Sequence, residues 1–372
     1  MISAGGTGGG VYPAFAVAEA LQAVSQPAVT LHFVGGIGVG GMEPEMIARS
    51  GITWHSATYI PGGPVHGVSP LRMVSSSFKL AAGLVKALLE MARVRPHAVL
   101  VTGGWASLPV ALAGWLWRAP VYAFVPDIEP ALTLKVTSRF ARRVAATTAE
   151  TAQYFRAGQV VATGYPLRKH VLAATREAGL AHFRLDPARR TLLITGGSSG
   201  ARSINQAVVA VLPQLLADDR LQVVHITGKL DWDTVRVARE QLPPDLQARY
   251  HAVDYLHDDM GLALAAADLV VSRAGASTLG ELTYFGLPAI LVPYPYAWRY
   301  QKVNADYLAS RGAALVLEDQ RLREDLLPTV QGLLADPARM AAMAERARAL
   351  GQADGAQRIA RLLLGESNGE GQ

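Results

Sequence analysis

The chain has 372 residues, half of them hydrophobic and 17% charged, which fits an ordered protein of two or three domains and excludes a disordered one. Cysteine is absent, so disulfide frameworks and thiolate metal sites are excluded and a reducing compartment fits. The net charge of +5 is uneven: residues 1–168 hold 13 Lys and Arg against 7 acidic residues, and the remainder holds 22 against 23. An anionic membrane surface or a nucleic acid could each draw on that basic first half. No nucleic-acid motif or stacking-aromatic array accompanies it, so nucleic acid is not an expected partner. No signal peptide is read at the start, and no apolar run is long enough to span a bilayer.

The opening reads as strand (Met1–Ala4), glycine-rich turn GGTGGG (residues 5–10) and a helix to about Ala23, with Pro13 in the first helical turn. So short a strand suggests a true start upstream of this Met. Counting from Gly6 puts Val11 where a dinucleotide fingerprint needs its last glycine, and no acidic residue follows at the usual distance, so that motif fails. Gly228-Lys229-Leu230 fails likewise as a Walker loop. A strand over Val29–Val34, a glycine-rich loop (35–41) and a helix near Glu43–Ser50 follow, then a strand and irregular loop within 52–70. Along a long helix, about Leu71–Val94, the basic residues Arg72, Lys79, Lys86 and Arg93 recur every seven positions and share a face. A core helix with a solvated basic edge is the first reading, and an interfacial helix whose basic residues meet anionic headgroups is the second. Val99–Val101 is a strand ending in a second glycine turn with Gly103 and Gly104, and a helix with Trp115 and Trp117 comes next. Strand Val121–Val125 carries Asp127 and Glu129 at its carboxyl end. Ligands of parallel α/β sheets bind there, so both carboxylates are candidates for acid–base work, with loop capping as the plainer role. Strands at Val144–Thr148 and Val160–Thr163 close this half, and Gly164–Arg168 reads as a linker.

After a helical stretch to Phe183 the pattern restarts with strand Thr191–Thr195, turn GGSSGAR (196–202) and helix Ser203–Leu216. Two halves that each open with strand, glycine turn and helix predict the α/β class, with two doubly wound Rossmann-like domains facing a cleft. Strand Val223–Thr227 precedes Asp231-Trp232-Asp233, a D-x-D triplet of the kind metal-dependent sugar transferases use to hold a cation. Both acids fall in a predicted first helical turn, where the dipole already favours them, so no metal site is assigned. Strand Tyr250–Val253 leads into Asp254–Met260, and the apolar run Ala265–Val271 reads as a buried parallel strand. It feeds SRAGASTLGE (272–281) and a helix ending near Phe285. Small residues at such a junction admit a ligand to the backbone, and the first-turn N–H groups can hold a diphosphate. Glu281, one turn in, could accept hydrogen bonds from two vicinal ribose hydroxyls. Thr278-Leu279-Gly280-Glu281 also fits a capping box, and from this segment alone the two readings stand level. Strand Ala289–Val292, the segment PYPYAWRYQKVN (293–304), further αβ pattern to about Ala349, a last helix over Gly355–Leu364 and a frayed polar tail (365–372) complete the chain.

Together, GGTGG (5–9) with Pro13, Gly103-Gly104, TGYPLR (163–168), GGSSGAR (196–202), DDM (258–260) and SRAGASTLGE followed by Gly286-Leu287-Pro288 resemble the MurG family of GT-B glycosyltransferases. The resemblance covers nearly the whole chain, and the order and spacing of the motifs make the set specific. It implies a GT-B architecture: an acceptor-binding, membrane-associating domain over 1–165, a nucleotide-sugar domain over 166–350, and a segment over 351–372 whose helix returns to the first domain. It implies inverting, metal-independent transfer of N-acetylglucosamine from UDP-GlcNAc to the muramyl sugar of lipid I, a polyprenyl-diphosphate-linked acceptor, making lipid II. The setting would be the cytoplasmic face of the cell membrane, on an anionic surface, and no cofactor is expected.

On the donor side the resemblance gives the ribose hydroxyls to Glu281, and the diphosphate or nucleotide to Gly197, Ser198, Ala276, Ser277 and Thr278. Leu256 would lie near uracil, Arg168 and Gln301 would reach the donor, and the backbone N–H groups at Gly197–Gly200 and Ala276–Thr278 would stabilise the leaving diphosphate, aided by Arg168 or Arg202. Thr7, Gly8, Gly9 and Gly104 would cradle the acceptor's diphosphate. The chain departs from the family on that side. The His after GGTGG is Gly10, the His-Glu-Gln-Asn segment aligns with Phe124-Val125-Pro126-Asp127, and the first residue of the Gln-type pair is Tyr300. With both family histidines missing, Asp127 is the candidate base. A related transferase with another lipid or glycan acceptor, a UDP-sugar epimerase and a non-catalytic UDP-sugar-binding protein stay open as alternatives.

Overall fold

Short runs of Val, Ile, Leu and Ala alternate with helices throughout, and strands apolar on both faces suit parallel sheets covered on both sides. The structure, a computed structural model, describes residues 1–5, 8–24, 28–37, 43–197, 200–296 and 299–366. The chain divides into two compact units, Met1–Arg168 with Ala353–Gln372, and Lys169–Gln352. In the first unit the described residues form β1 (Ile2–Ser3), β2 (His32–Ile37), β3 (Ser56–Pro61), β4 (Val99–Val101), β5 (Val121–Val125), β6 (Arg143–Ala146) and β7 (Val160–Ala162). They pair in parallel in the order β3-β2-β1-β4-β5-β6-β7. The second unit holds β8 (Arg190–Thr195), β9 (Leu221–Ile226), β10 (Tyr250–Val253), β11 (Leu269–Ser272), β12 (Ala289–Leu291) and β13 (Ala314–Val316), parallel in the order β10-β9-β8-β11-β12-β13. Each sheet is doubly wound. The strand order reverses between β1 and β4 and again between β8 and β11, and ligands of such sheets bind at the carboxyl ends beside that reversal.

The cores follow the apolar runs. Met91, Val101, Val110, Val125 and Val144 pack in the first unit, and Leu192, Ile194, Ile204, Leu212, Val271 and Leu326 in the second. Helix Gly355–Leu364 packs on helix Gly8–Val24 within the first unit. Gly355 lets the chain pass close, since a Cβ there would lie 2.9 Å from the Tyr165 carbonyl oxygen.

Three expectations are corrected. The first helix starts at Gly8, so Pro13 lies inside it instead of in its first turn. Glycine is a poor helix former, but Thr102 Oγ1 donates to the Gly10 carbonyl at 2.6 Å and Gly10 packs on Gly5, which fix this turn from outside. Ala265 and Ala266 end helix Met260–Ala266 instead of opening a strand, as befits good helix formers. The Asp268 carboxylate then accepts the Thr191 N–H at 2.7 Å and Arg176 Nη2 at 3.2 Å, setting the start of β11. The long helix, Pro70–Val94, reaches the core only along one stripe, and its outer side is apolar as well as basic. It buries Ser76, Gly83, Ala87 and Met91, and exposes Leu71 (86%), Phe78 (73%) and Leu89 (65%). Close approach is the cause: a Cβ at Gly83 would overlap the Pro61 carbonyl oxygen at the end of β3, so the small residues take the inner stripe. No helix among the described residues is long and apolar enough to cross a membrane.

Candidate functional site

The turn after β8 is built from glycine for geometric reasons. Gly197 and Gly200 have φ of +79° and +75°, and a Cβ on Gly200 would stand 2.5 Å from the Thr227 carbonyl oxygen. Thr195 Oγ1 accepts the Gly197 N–H at 3.2 Å, and the Gly197 carbonyl accepts the Gly200 N–H at 3.0 Å. Helix Arg202–Leu215 follows with Ala201 at its N-cap and no side-chain cap hydrogen bond, an end that favours an anion. Ser198 lies outside the described residues.

The turn after β11, the neighbour of β8, is clamped by a buried arginine. Arg273 donates from Nη1 to the Val292 carbonyl at 3.1 Å and to the Asp319 carboxylate, and from Nη2 to Ser203 Oγ at 2.8 Å. Ser203 Oγ donates to the same carboxylate at 2.6 Å, and the guanidinium lies 5.2 Å from the Tyr294 ring centroid. Asn304 Nδ2 donates to the Ala274 carbonyl at 3.2 Å. A buried guanidinium needs such a charged partner, and Asp319 supplies it. The clamp ties β11, β12, the loop at Asp319 and the head of helix Arg202–Leu215 into one rigid frame.

That frame holds the start of the segment Thr278–Glu281, for which two readings stand. Helix Thr278–Phe285 takes Ser277 as N-cap, without a side-chain cap bond. Thr278 donates both its N–H and its hydroxyl to the Gly275 carbonyl, at 3.0 and 2.6 Å, and the Glu281 N–H goes to the Ser277 carbonyl at 2.7 Å. The N–H that a Glu281 carboxylate would accept in a capping box is thus already donated to the Gly275 carbonyl, and the helix begins at Ser277 with no side-chain cap bond. Glu281 stands half-buried in the first turn. Of the N–H groups expected in the diphosphate cradle, those of Gly197, Gly200 and Thr278 donate within the turns themselves.

Gln301, in helix Tyr300–Ser310, accepts the Tyr294 N–H on Oε1 at 2.9 Å. Leu256 is half-buried just beyond β10. Gly197, Leu256, Ala276, Ser277, Thr278, Glu281 and Gln301 thus all follow the carboxyl ends of strands of the second sheet. Arg273, Asp319 and Asn304 were missed by the sequence reading. A charged residue directly after the apolar run of β11 was the one available signal for Arg273. The D-x-D acids part company: Asp231 turns to Arg202 and Asn205, while Asp233 is 90% exposed and 3.7 Å from Arg236. Among the described residues no His, Asp or Glu cluster could hold a metal.

In the first unit, Gly8 and Gly9 open the first helix and Thr7 lies outside the described residues. Gly104 has φ of +83°, and a Cβ there would be 2.9 Å from the Gly5 carbonyl carbon. Gly10 is as tightly set, with its Cβ position 3.0 Å from the Gly5 oxygen. The Arg168 guanidinium stacks 4.0 Å from the Tyr12 ring centroid, next to these turns in sequence. Asp127 is half-buried just past β5, in a turn fixed by Thr147 Oγ1 donating to the Pro126 carbonyl at 2.8 Å, and Glu129 is 4% exposed.

Twin doubly wound sheets with glycine turns at both strand-order reversals define the GT-B class, which includes nucleotide-sugar transferases and epimerases. Residues 1–146 match the glycosyltransferase family 28 N-terminal domain and residues 191–359 its C-terminal domain. The chain is 40% identical to the UDP-N-acetylglucosamine–N-acetylmuramyl-(pentapeptide) pyrophosphoryl-undecaprenol N-acetylglucosamine transferase of Roseiflexus sp. (strain RS-1), over 96% of this chain and 93% of the relative. The crystal structure of Acinetobacter baumannii MurG is similar at a TM-score of 0.74 and 26% identity, covering 98% of each chain. UDP-GlcNAc 2-epimerase from Neisseria meningitidis bound to UDP-GlcNAc shares the fold alone, at a TM-score of 0.67 and 14% identity over 98% of this chain and 99% of that one. The chain belongs to glycosyltransferase family 28, among its MurG members.

Proposed function

We propose that this chain transfers N-acetylglucosamine from UDP-GlcNAc to the muramyl sugar of lipid I, making lipid II for peptidoglycan. The observation that carries the donor side is the pair of helices, Arg202–Leu215 and Thr278–Phe285, that follow the adjacent strands β8 and β11 with no side-chain cap. Two such ends side by side suit the two phosphates of a nucleotide sugar. The N–H groups of Ala276, Ser277 and the first turn after Ala201 meet the diphosphate, with Arg202 beside them. Glu281 takes the ribose hydroxyls, a role supported by its half-buried place in the first turn of helix Thr278–Phe285, beside the N–H groups at its start. The second unit holds the donor and the first the acceptor.

In the reaction an acceptor hydroxyl attacks the anomeric carbon, the bond from that carbon to the diphosphate oxygen breaks, and UDP leaves with inversion. The hydroxyl proton passes to the Asp127 carboxylate, which sits at the carboxyl end of β5 where the parallel sheet opens to ligands. The acceptor's diphosphate rests on the glycine turns at Gly8, Gly9 and Gly104.

The long helix supports seating on the cytoplasmic face of an anionic membrane. Leu71, Val74, Phe78, Val85 and Leu89 follow at helical spacing and are exposed, and Arg72, Lys79, Lys86 and Arg93 run beside them. Trp115 (54%) and Trp117 (43%) add exposed aromatic surface. This helix borders the acceptor turns: a Cβ on Gly63 would be 2.7 Å from Ser76 Oγ, and one on Gly62 would be 3.0 Å from the Ala106 nitrogen.

Labelled UDP-GlcNAc offered with lipid I and with simpler polyprenyl diphosphates tests the reading. Label is expected on lipid I. A new sugar epimer would make the chain an epimerase, and binding without turnover would make it a non-catalytic binder. In the same assay Asp127→Asn should lose turnover and keep UDP affinity; near-normal turnover removes Asp127 as the base.

A further inference from the structure

Asp231 stands at the N-cap of helix Trp232–Glu240 but makes no cap hydrogen bond to it. Its carboxylate turns to the neighbouring helix, where Oδ1 accepts from Arg202 Nε at 3.0 Å and Oδ2 from Asn205 Nδ2 at 2.9 Å. Only 12% of the Asp231 side chain is exposed, against 68% for Arg202. Asn205 Nδ2 also donates to the Thr227 carbonyl at 2.8 Å, the same carbonyl against which Gly200 is packed. Because Nδ2 faces two acceptors, Oδ1 must be the atom that faces His225 Nε2, at 3.0 Å. His225 therefore carries its proton on Nε2, and its Nδ1 accepts from the Tyr250 hydroxyl at 2.7 Å. Both rings are fully buried. Burial lowers the His225 pKa to about 3 and raises that of Tyr250, so the imidazole stays neutral and the phenol keeps its proton. Every donor in this row points one way, from Tyr250 through His225 and Asn205 to Asp231, and such a row polarises cooperatively.

We infer that Asp231 is a positioning residue for the transfer: held by the Tyr250–His225–Asn205 row, it fixes the Arg202 guanidinium by Nε so that the Nη groups meet the leaving diphosphate. The inference rests on the donor reading above. A long exposed arginine loses rotamer freedom each time it meets an anion, unless a partner has already set it. Asp231 does so from the side, leaving the end of the fork for the ligand. Thr227 links the device to the glycine turn, since its carbonyl is shared by Asn205 and Gly200. The D-x-D motif thus keeps one acid that matters and one that does not. Asp233 bonds neither Arg202 nor Asn205, and its partner is Arg236.

The test uses the full chain, UDP binding by calorimetry and steady-state transfer. Removing one well-placed donor at a developing anion costs about 100-fold or more in rate, and losing only its positioning should cost about tenfold in kcat/KM. Asp231→Asn should show that loss with a matching fall in UDP affinity, and Asp233→Asn should match the wild type. The double variant Asp231→Asn/Arg202→Ala should be no worse than Arg202→Ala. Arg202→Lys, which keeps the charge, loses the fork and leaves the buried row intact, should repeat the Asp231→Asn loss. Multiplicative losses in the double variant, or wild-type kinetics in Asp231→Asn or Arg202→Lys, overturn the inference. A wild-type chain that binds no UDP overturns the donor reading and the inference with it.

Discussion

The glycine turns of the two units are held by different means. In the first unit they rest on one another: Gly104 and Gly10 both pack against Gly5, and Thr102 Oγ1 bonds the Gly10 carbonyl. In the second unit charged and hydroxyl side chains flank them: Arg273, Asp319 and Ser203 form one network, and Asp231 with Arg202 another. Backbone-on-backbone packing leaves a cradle with little side-chain chemistry, fit for a phosphate common to many lipids. A turn framed by fixed charges is preorganised for one arrangement of phosphates and ribose. On the proposed reading, fixed side-chain charges thus preset the turns that meet the donor, while the acceptor meets turns set by backbone packing and the exposed helix.

Matched glycine substitutions give the largest effects and the sharpest contrast. Gly200→Ala puts a Cβ 2.5 Å from the Thr227 carbonyl oxygen at φ of +75°. The backbone conformation alone costs about 1–3 kcal/mol, and the displaced carbonyl also disturbs Asn205. UDP affinity is expected to fall at least about tenfold, with a lower melting temperature. Gly104→Ala has comparable strain, at φ of +83° with a Cβ 2.9 Å from Gly5, yet it should spare UDP affinity and raise the KM for the lipid acceptor. Calorimetry with UDP on both variants decides. Equal losses would erase the division between the two sets of turns.

Glu281→Ala comes next. A carboxylate that holds ribose hydroxyls contributes about 1.5–3 kcal/mol to UDP binding, so affinity should drop by that amount while the fold persists. Unchanged affinity with a lower melting temperature would give Glu281 a structural role and leave nucleotide recognition to the diphosphate alone.

The apolar runs and glycine turns made both sheets and their ligand-binding edges legible, because strand burial and positive φ are local demands. What failed to show was settled by partners distant in sequence. Thr278 and Glu281 have the spacing of a capping box, but the Gly275 carbonyl claims both donors of Thr278, and the Arg273 clamp holds that segment in place. Arg273 meets Asp319 and Ser203, and His225 meets Asn205 and Tyr250, across separate strands and helices. No local pattern announces such pairs. The long helix misled in another way: several of its large apolar residues looked like a core stripe but are exposed, while Gly83, whose Cβ would overlap the Pro61 carbonyl oxygen at the end of β3, lies on the buried stripe with Ala87 and Met91.

The acceptor half is expected to respond least in solution and visibly only on a surface. Phe78 lies 73% exposed in the middle of the apolar stripe, with Lys79 adjacent, so Phe78→Glu removes no core contact and should leave the melting temperature and UDP affinity unchanged. Burying a Phe side chain is worth about 1.5–3 kcal/mol when complete, and an interfacial helix realises part of it. Cosedimentation with anionic vesicles should therefore weaken by about threefold to tenfold, and more salt should weaken the wild type as well, because the basic row of Arg72, Lys79, Lys86 and Arg93 is screened. Turnover on a water-soluble acceptor would stay at the wild-type level while turnover on vesicle-bound acceptor fell. If the variant bound vesicles as tightly as the wild type, the exposed stripe would lose its membrane, and acceptor recognition would reduce to the glycine turns alone.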